Sequence, residues 1–278
     1  MPTYLLPTSL AEAFEALGGQ GETRLFAGGT DIIVQLRDGV IKPAAIMDVK
    51  ALPELQGITN EQGVLAIGAA VTCSEMLASD KVAGGCLLLK EAAFTLANSL
   101  LRNRATMVGN LCNASPGADM APAALVLQGV LTTARASGGR EIALRDFFVG
   151  VKKHVLEVGE IVTKISFPLT LGRGFYLKKR RIRGHDLAQV GVAGFHDDDG
   201  SFRLALGAVA TTPLLLDGFG RLTTSELAQQ REAIVAEAVK AAKPIDDIRA
   251  SKEYRAAMVK LYTERIIDAL TRGTEVRR

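Results

Sequence analysis

Short apolar runs alternate with amphipathic segments along the first 170 residues, a pattern that predicts alternating strands and helices. The predicted strands are 24–27, 45–49, 64–69, 129–134 and 161–167. Helices are predicted to start at Ser9/Glu12 and Thr72/Glu75, because a hydroxyl residue followed three positions later by Glu can satisfy the first free N–H groups of a helix. A further helix is predicted over 87–98, so we expect a mixed unit of strands and helices here.

Beyond about residue 170 the pattern predicts an antiparallel sheet followed by two helices. The predicted strands are 174–179, 189–195 and 202–210. Asp197 to Gly200 has the composition of the turn between the last two strands. One helix is predicted from the capping pair Thr223/Glu226 to about Ala242, and the other carries apolar residues at helical spacing from Tyr254 to Leu270. This region is therefore expected to pair a layer of strands with a layer of helices.

Composition narrows the class of protein. The composition, with 48% hydrophobic and 23% charged residues, predicts a globular protein, and 278 residues suffice for two ordinary domains or one large domain with a smaller appendage. A net charge of +3 does not favour nucleic-acid binding, and no segment has the apolar length of a membrane span. Cys73, Cys86 and Cys112 are too few for a disulfide framework, which favours a cytoplasmic location. The three histidines lack the spacing of metal ligands, so no metal site is predicted.

Two glycine-containing segments are candidates for binding a phosphate group. In the first, Gly28-Gly29 joins a predicted strand to a helix capped by Thr30 or Asp31. Glycine lets backbone amides approach a diphosphate closely, and a helix N-terminus adds a favourable dipole. The segment matches neither the Rossmann pattern G-x-G-x-x-G nor the P-loop pattern, and a strand-to-helix turn in any α/β domain can contain paired glycines. Taken alone, this segment leaves a structural and a binding role open.

The second segment, 102–116, lacks sustained periodicity and is predicted to be a long ordered loop. It holds short polar residues and a glycine immediately before Asp119, which is a candidate cap for a helix through Leu125. Such a density of donors suits recognition of a polar ligand, but these side chains also commonly satisfy their own backbone. Local chemistry does not separate the two roles.

The order and spacing of short motifs resemble those of the FAD-binding subunits of the xanthine dehydrogenase and carbon monoxide dehydrogenase family. The resemblance spans nearly the whole chain. The motifs are FAGGTD at 26–31, IMDV at 46–49 with LPEL at 52–55, RNRATMVGNLCNASP at 102–116, GEIV at 159–162, KKRRIRGHD at 178–186 and IDDIRASKEYR at 245–255.

The resemblance implies an α+β fold with an FAD-binding domain of the vanillyl-alcohol-oxidase (PCMH) type. In that fold two α/β subdomains, here about 1–57 and 58–170, hold an extended FAD between them. The remaining residues, 171–278, would form the smaller domain typical of the C-terminal part of carbon monoxide dehydrogenase flavoproteins.

The resemblance also implies a set of FAD-binding residues. The first turn would wrap the diphosphate through backbone amides, the second segment would contact it from the opposite side, and Asp119 would accept hydrogen bonds from the cofactor or from loop amides. Leu96 and Val162 would form apolar walls at the flavin, and Lys178 would supply a positive charge. The full set is Leu25, Phe26, Ala27, Gly28, Gly29, Thr30, Asp31, Leu96, Thr106, Gly109, Asn110, Ser115, Asp119, Val162 and Lys178.

One position departs from the family pattern. Where the family usually has two consecutive glycines, this chain has Val108-Gly109. A β-branched residue disfavours a positive φ, so left-handed geometry at Val108 would strain the segment.

The basic run Lys178, Lys179, Arg180, Arg181 and Arg183 has two readings. It can be a solvated strand edge, or it can be a docking surface near the flavin for a partner or for an anionic nicotinamide dinucleotide. Lys178 alone has a more specific role, through the resemblance.

The resemblance implies an electron-transfer subunit. A molybdopterin-binding large subunit would oxidise the substrate, a [2Fe-2S] small subunit would relay electrons, and FAD in this chain would pass them to NAD or another acceptor. A hetero-oligomer is therefore expected, and no residue of this chain is expected to act on the organic substrate. Two alternatives remain: a stand-alone flavoprotein oxidase or dehydrogenase of the same fold, and a scaffold subunit without cofactor.

Overall fold

The computed structural model describes residues 2–19, 21–182 and 184–276. Three main sheets follow one another along the chain, each with its own helices. The mixture of strands and helices confirms the predicted α+β class. Arg183 of the basic run lies outside the described residues.

The first sheet is a parallel, three-stranded sheet built from the N-terminal residues. Its strands are β1 (Thr3–Leu5), β2 (Thr23–Phe26) and β3 (Ala45–Asp48), in the order β1-β3-β2. Helices α1 (Leu10–Gly19) and α2 (Ile32–Arg37) connect them. The central strand β3 is buried along its whole length, as expected for a parallel strand covered on both faces. This topology brings the ends of β2 and β3 to one edge, where the first glycine turn begins.

The second sheet is antiparallel and has the order β4-β5-β10-β6-β7. Its strands are β4 (Ile58–Glu61), β5 (Val64–Gly68), β6 (Val130–Ala134), β7 (Glu141–Ala143) and β10 (Ile161–Pro168), and the small hairpin β8 (Phe148–Gly150) and β9 (Lys153–His154) stands beside it. Six short helices lie between β5 and β6: α3 (Cys73–Ala78), α4 (Asp80–Gly85), α5 (Leu87–Thr95), α6 (Ser99–Arg102), α7 (Met107–Cys112) and α8 (Ala121–Val126). Among the predicted site residues, Gly109 and Asn110 lie in α7, and Thr106 and Leu96 cap α7 and α5.

The third sheet is an antiparallel meander with helices on both faces. It consists of β11 (Gly172–Lys179), β12 (Val190–Asp197), β13 (Phe202–Gly207) and β14 (Leu214–Leu216). The C-terminal helices are α9 (Thr224–Gln229), α10 (Arg231–Ala241) and α11 (Lys252–Arg272). Phe202, Leu204 and Leu206 alternate along β13 and pack with the C-terminal helices, whereas Ala205 belongs to the larger core that includes α5 and α8. The sheet therefore joins the two hydrophobic cores.

Several predicted elements are confirmed. Two of the three predicted capping boxes, at Thr72/Glu75 and Thr223/Glu226, are present. Asp197 to Gly200 forms the expected turn, with Gly200 at φ +91°. At Ser9/Glu12 only half of the box forms, since the Glu12 carboxylate accepts from the Thr8 N–H at 2.7 Å instead of from Ser9.

The prediction of a loop over 102–116 was wrong in its central part, where α7 forms. The Thr106 hydroxyl accepts from the Gly109 N–H at 2.9 Å and so caps the helix. A helix of six residues is too short to show a periodic pattern of apolar positions. The buried residues of α7 are Met107, Val108 and Leu111.

Two boundary predictions were wrong. Asp119 does not cap a helix, because α8 begins two residues later after Met120 and without a side-chain cap. At α2 the predicted boundary is confirmed, since Asp31 is the N-cap residue, although its side chain makes no capping hydrogen bond. The helix predicted from 223 to 242 is two helices, α9 and α10, which meet at Gln230.

Candidate functional site

The first glycine turn connects β2 to α2 and requires glycine at both positions. Gly29 has φ +77°, and a Cβ there would lie 2.4 Å from the Phe26 ring. A Cβ at Gly28 would lie 2.2 Å from the Arg104 carbonyl oxygen, so this glycine lets two chain segments touch. Among the hydrogen bonds of the described residues, none uses the N–H groups of Gly28, Gly29 or Thr30 as donors. The turn therefore presents free donors next to the second segment.

The second segment touches the first turn at Arg104 and Ala105, and backbone contacts with the start of α3 hold it in place. The Ala105 carbonyl accepts from the Cys73 N–H at 2.8 Å, and Thr106 forms a β-bridge with Thr72. Thr106 then caps α7, and the Asn110 side-chain oxygen accepts from the Met120 N–H at 3.1 Å. As a result, Thr106, Gly109 and Asn110 lie on one short helix whose start is next to the first turn.

Asp119 and Lys178 form a buried ion pair next to this helix. The Lys178 ammonium donates to Asp119 Oδ2 at 2.8 Å and to the Thr95 carbonyl at 3.2 Å. The Lys178 side chain is 2% exposed and the Asp119 side chain is 9% exposed. The other carboxylate oxygen, Asp119 Oδ1, is buried and makes no hydrogen bond of ordinary geometry among the described residues, although the Tyr176 phenol lies close enough to interact with the Asp119 carboxylate. Burial raises the pKa of Asp119, which the nearby Lys178 charge opposes.

Tyr176 belongs to the same cluster, although the sequence analysis did not select it. It lies two residues before Lys178 on β11, so both side chains are on one face of the strand. Burial and then the Asp119 charge raise the pKa of the Tyr176 phenol well above its ordinary value. The alternation of Tyr176 and Lys178 was the signal that could have indicated it.

The remaining predicted residues are more dispersed. Leu96 follows α5 and is 6% exposed, while Val162 is 5% exposed on β10, a strand that contacts α7. Ser115 accepts from the Gly117 N–H at 3.3 Å and therefore supports its own loop. Leu25 is 37% exposed on β2, and the Asp31 side chain is exposed. The structure brings the first glycine turn against the second segment. Separately, it brings together Asp119, Lys178 and the Thr95 carbonyl.

Lys152 was missed by sequence reasoning and touches the second segment. Its N–H donates to the Ala114 carbonyl at 2.9 Å and its ammonium to Asn113 Oδ1 at 2.7 Å. Lys152 adopts φ +58°, a conformation that a lysine rarely takes and that only the folded hairpin reveals.

Burial makes the thiols of Cys73 and Cys86 unreactive. Cys73 and Cys86 are buried, and burial raises the pKa of Cys73 to about 12 and that of Cys86 to about 11. A thiol with a raised pKa is a poor nucleophile at neutral pH.

The arrangement fits a dinucleotide cofactor with a flavin ring. Free backbone donors at a glycine turn suit a diphosphate, whereas the unpartnered Asp119 Oδ1 suits a hydroxyl or N–H donor of a ligand. None of the helices that the structure describes is long and apolar enough to cross a membrane.

Comparison with known proteins places this chain in a family. Residues 1–170 match the family described as "FAD binding domain in molybdopterin dehydrogenase". The carbon monoxide dehydrogenase medium chain of Hydrogenophaga pseudoflava is 29% identical over 275 residues, which is 96% of each chain. The putative xanthine dehydrogenase FAD-binding subunit of Escherichia coli K12 is 30% identical over 95% of this chain and 94% of its own length.

Solved structures agree over the whole chain. A chain of carbon monoxide dehydrogenase from Hydrogenophaga pseudoflava superposes with a TM-score of 0.90 at 27% identity, covering 99% of this chain and 98% of that one. A chain of quinoline 2-oxidoreductase from Pseudomonas putida 86 superposes with a TM-score of 0.87 at 26% identity and covers 98% of each chain. The similarity thus includes the third sheet and its helices. This chain belongs to the family of FAD-binding subunits of molybdopterin dehydrogenases.

Proposed function

We propose that this chain is the FAD-binding electron-transfer subunit of a molybdenum hydroxylase complex. The observation that carries the proposal is the contact of Gly28 with Arg104 and Ala105, which brings the two candidate diphosphate-binding segments together. Membership of the family supports the same assignment. We further propose the domain division of 1–170, with subdomains of about 1–57 and 58–170, and 171–278.

The proposed FAD contacts fall into two groups. Residues 25–31, with Thr106, Gly109, Asn110 and Ser115, would hold the diphosphate through N–H groups and short polar side chains. Leu96, Asp119, Val162 and Lys178 would surround the flavin end. The free N–H groups of the first turn support the first group, and the unpartnered Asp119 Oδ1 supports the second.

Bound flavin supplies the redox chemistry, and the residues of this chain supply binding, orientation and electrostatics. Leu96 and Val162 are buried apolar side chains that would exclude water from one side of the ring. Lys178 keeps a positive charge in a buried place, where a charge acts more strongly than it does in water. Asp119 both pairs with Lys178 and retains one free acceptor oxygen.

We propose a [2Fe-2S] small subunit as the electron donor, a molybdopterin-binding large subunit as the site of substrate oxidation, and NAD or another soluble acceptor as the outlet. The relatives named medium chain or FAD-binding subunit support a hetero-oligomer. Two buried cysteines with raised pKa values are compatible with the cytoplasmic location that we propose.

The test starts with the purified full chain. We expect a flavin absorbance spectrum with FAD bound and no oxidation of organic substrates in the absence of partner subunits. A chain that stays colourless with added FAD would favour the scaffold alternative, and substrate turnover by the pure chain would favour a stand-alone oxidase. Val108 lies inside α7 and has no positive φ, so the departure from the family's glycine pair does not strain the segment and does not support the scaffold alternative.

A matched pair of variants tests the flavin end. Asp119→Asn leaves Lys178 buried without its counter-charge, so we expect FAD to bind at least ten-fold more weakly, as measured by fluorescence titration. Asp197→Asn breaks the equally buried pair with Arg203 in the third sheet. Both variants should lose about 3–5 kcal/mol of stability. If FAD affinity falls equally in both, the loss reflects stability, and the assignment of Asp119 is wrong.

A further inference from the structure

Two positively charged side chains, those of Arg102 and Lys178, donate hydrogen bonds to the turn 94–97 between α5 and α6. A single nitrogen of Arg102, Nη1, donates to the carbonyls of Phe94 at 3.1 Å, Leu96 at 3.0 Å and Ala97 at 3.4 Å. The carbonyl between them, that of Thr95, accepts from the Lys178 ammonium at 3.2 Å. Four consecutive carbonyls, 94–97, therefore each accept from a positive side chain.

The turn needs this support for two reasons. Ala97 has φ +49°, a left-handed conformation that costs an alanine about 1–2 kcal/mol. The last carbonyls of α5 also lack intrahelical partners, because a helix leaves its final C=O groups free. Arg102 meets both needs, and its guanidinium also lies 5.5 Å from the Phe94 ring centroid. Arg102 is thus the residue that fixes the shape of this turn.

The shape of the turn determines the position of Lys178. The Lys178 ammonium has two partners among the described residues, Asp119 Oδ2 and the Thr95 carbonyl. If the turn relaxes, the Thr95 carbonyl moves away, and the ammonium is held from one side only. Leu96, the next residue, moves with the same turn.

We propose that Arg102 is a positioning residue for the flavin: by fixing the turn 94–97 it holds the Lys178 ammonium at the flavin site. The inference rests on the proposed FAD-binding function, since Lys178 matters to a flavin only if one binds here. Arg102 itself need not touch the cofactor. A fixed positive charge favours the more negative, reduced form of a nearby flavin, so displacing it should shift the redox equilibrium towards the oxidised form.

The test measures the midpoint potential of FAD bound to the full chain, at saturating FAD, together with the melting temperature. Arg102→Gln should shift the equilibrium towards oxidised flavin by about ten-fold, which corresponds to about 30 mV for a two-electron couple. Arg102→Lys should recover part of this shift, because one nitrogen serves all three carbonyls and an ammonium can replace it. In the Lys178→Met background, Arg102→Gln should cause no further shift.

The control is Arg231→Gln, which removes an arginine that bridges Asp268 and Glu264 in the C-terminal helices. It should lower the melting temperature and leave the flavin potential unchanged. A wild-type potential in Arg102→Gln would overturn the inference, as would shifts that add in the double variant with Lys178→Met. These outcomes differ from failure of the proposed function, in which the wild-type chain itself binds no FAD.

Discussion

Gly28 is the residue at which the two segments of the proposed diphosphate site touch. A methyl group there would lie 2.2 Å from the Arg104 carbonyl oxygen, well inside van der Waals contact with a rigid backbone atom. Gly28→Ala should therefore push the segments apart and weaken FAD binding at least ten-fold, or about 1.4 kcal/mol, in a fluorescence titration.

Gly18→Ala is the matched control for this variant, because a Cβ at Gly18 in α1 has no heavy atom within 4 Å. That variant should bind FAD as the wild type does. Wild-type affinity in Gly28→Ala would contradict the assignment of the first turn to the diphosphate.

Val108 is the position where the sequence departs from the family pattern. The residue is 4% exposed inside α7 and has no positive φ, so it is not strained. Val108→Gly should cost about 2–3 kcal/mol of unfolding free energy, because it removes a buried side chain and adds a flexible residue to a helix. Urea denaturation measures this loss. A rise in FAD affinity on introducing the glycine would show that Val108 hinders binding after all.

The elements were predictable where a local pattern determines them. The strand-turn-helix unit around Gly28 and the capping boxes at Thr72 and Thr223 follow from local chemistry, and both boxes are present. The helix α7 was missed because Thr106 initiates only six residues, too few for a period to emerge. The Asp119–Lys178 pair joins residues 59 positions apart, so the short-range capping chemistry that suggested a helix cap could not reveal it. Only the tertiary structure shows which partner a buried carboxylate has.

Glu160 shows how one buried carboxylate joins several elements of the second sheet. It accepts from Arg140 Nε at 2.8 Å and from the Thr133 hydroxyl at 2.7 Å, which links the start of β10 to β6 and to the residue before β7. The Arg140 hydrogen bond is the main reason that its pKa falls to about 2 from the usual 4.5. The stabilisation should therefore be present above about pH 4.5 and be lost as the pH falls towards 2.

Glu160→Gln should lower the free energy of unfolding by about 2 kcal/mol at pH 7, because the charged partner of Arg140 is lost. The difference from wild type should shrink as the pH falls from 4.5 towards 2, where the wild-type Glu160 becomes protonated as well. Chemical denaturation at several pH values measures it. Glu61→Gln, on the exposed end of β4, is the control and should show little effect at any of these pH values. A difference that grows on acidification would mean that the carboxylate is not stabilised as described.

At the scale of the whole molecule, the third sheet is tied to the segment 113–126, which includes Asp119 of the proposed flavin contacts. The Arg203 guanidinium donates to the Val126 carbonyl at 2.6 Å, and the Ala208 N–H donates to the Pro116 carbonyl at 2.7 Å. Together with the Lys178–Asp119 pair, these bonds cross from the C-terminal sheet to the segment 113–126. A ligand that binds this segment should therefore stabilise both parts of the chain.

Calorimetry of the full chain should show one unfolding transition that FAD shifts as a whole. At a free FAD concentration of 100 times its dissociation constant, the gain in unfolding free energy should be about 2.7 kcal/mol. ADP, which carries the diphosphate without the flavin ring, should give a smaller shift at the same concentration, since it cannot reach Lys178 and Leu96. If FAD instead moved one of two separate transitions and left the other in place, the C-terminal sheet would not be coupled to the cofactor.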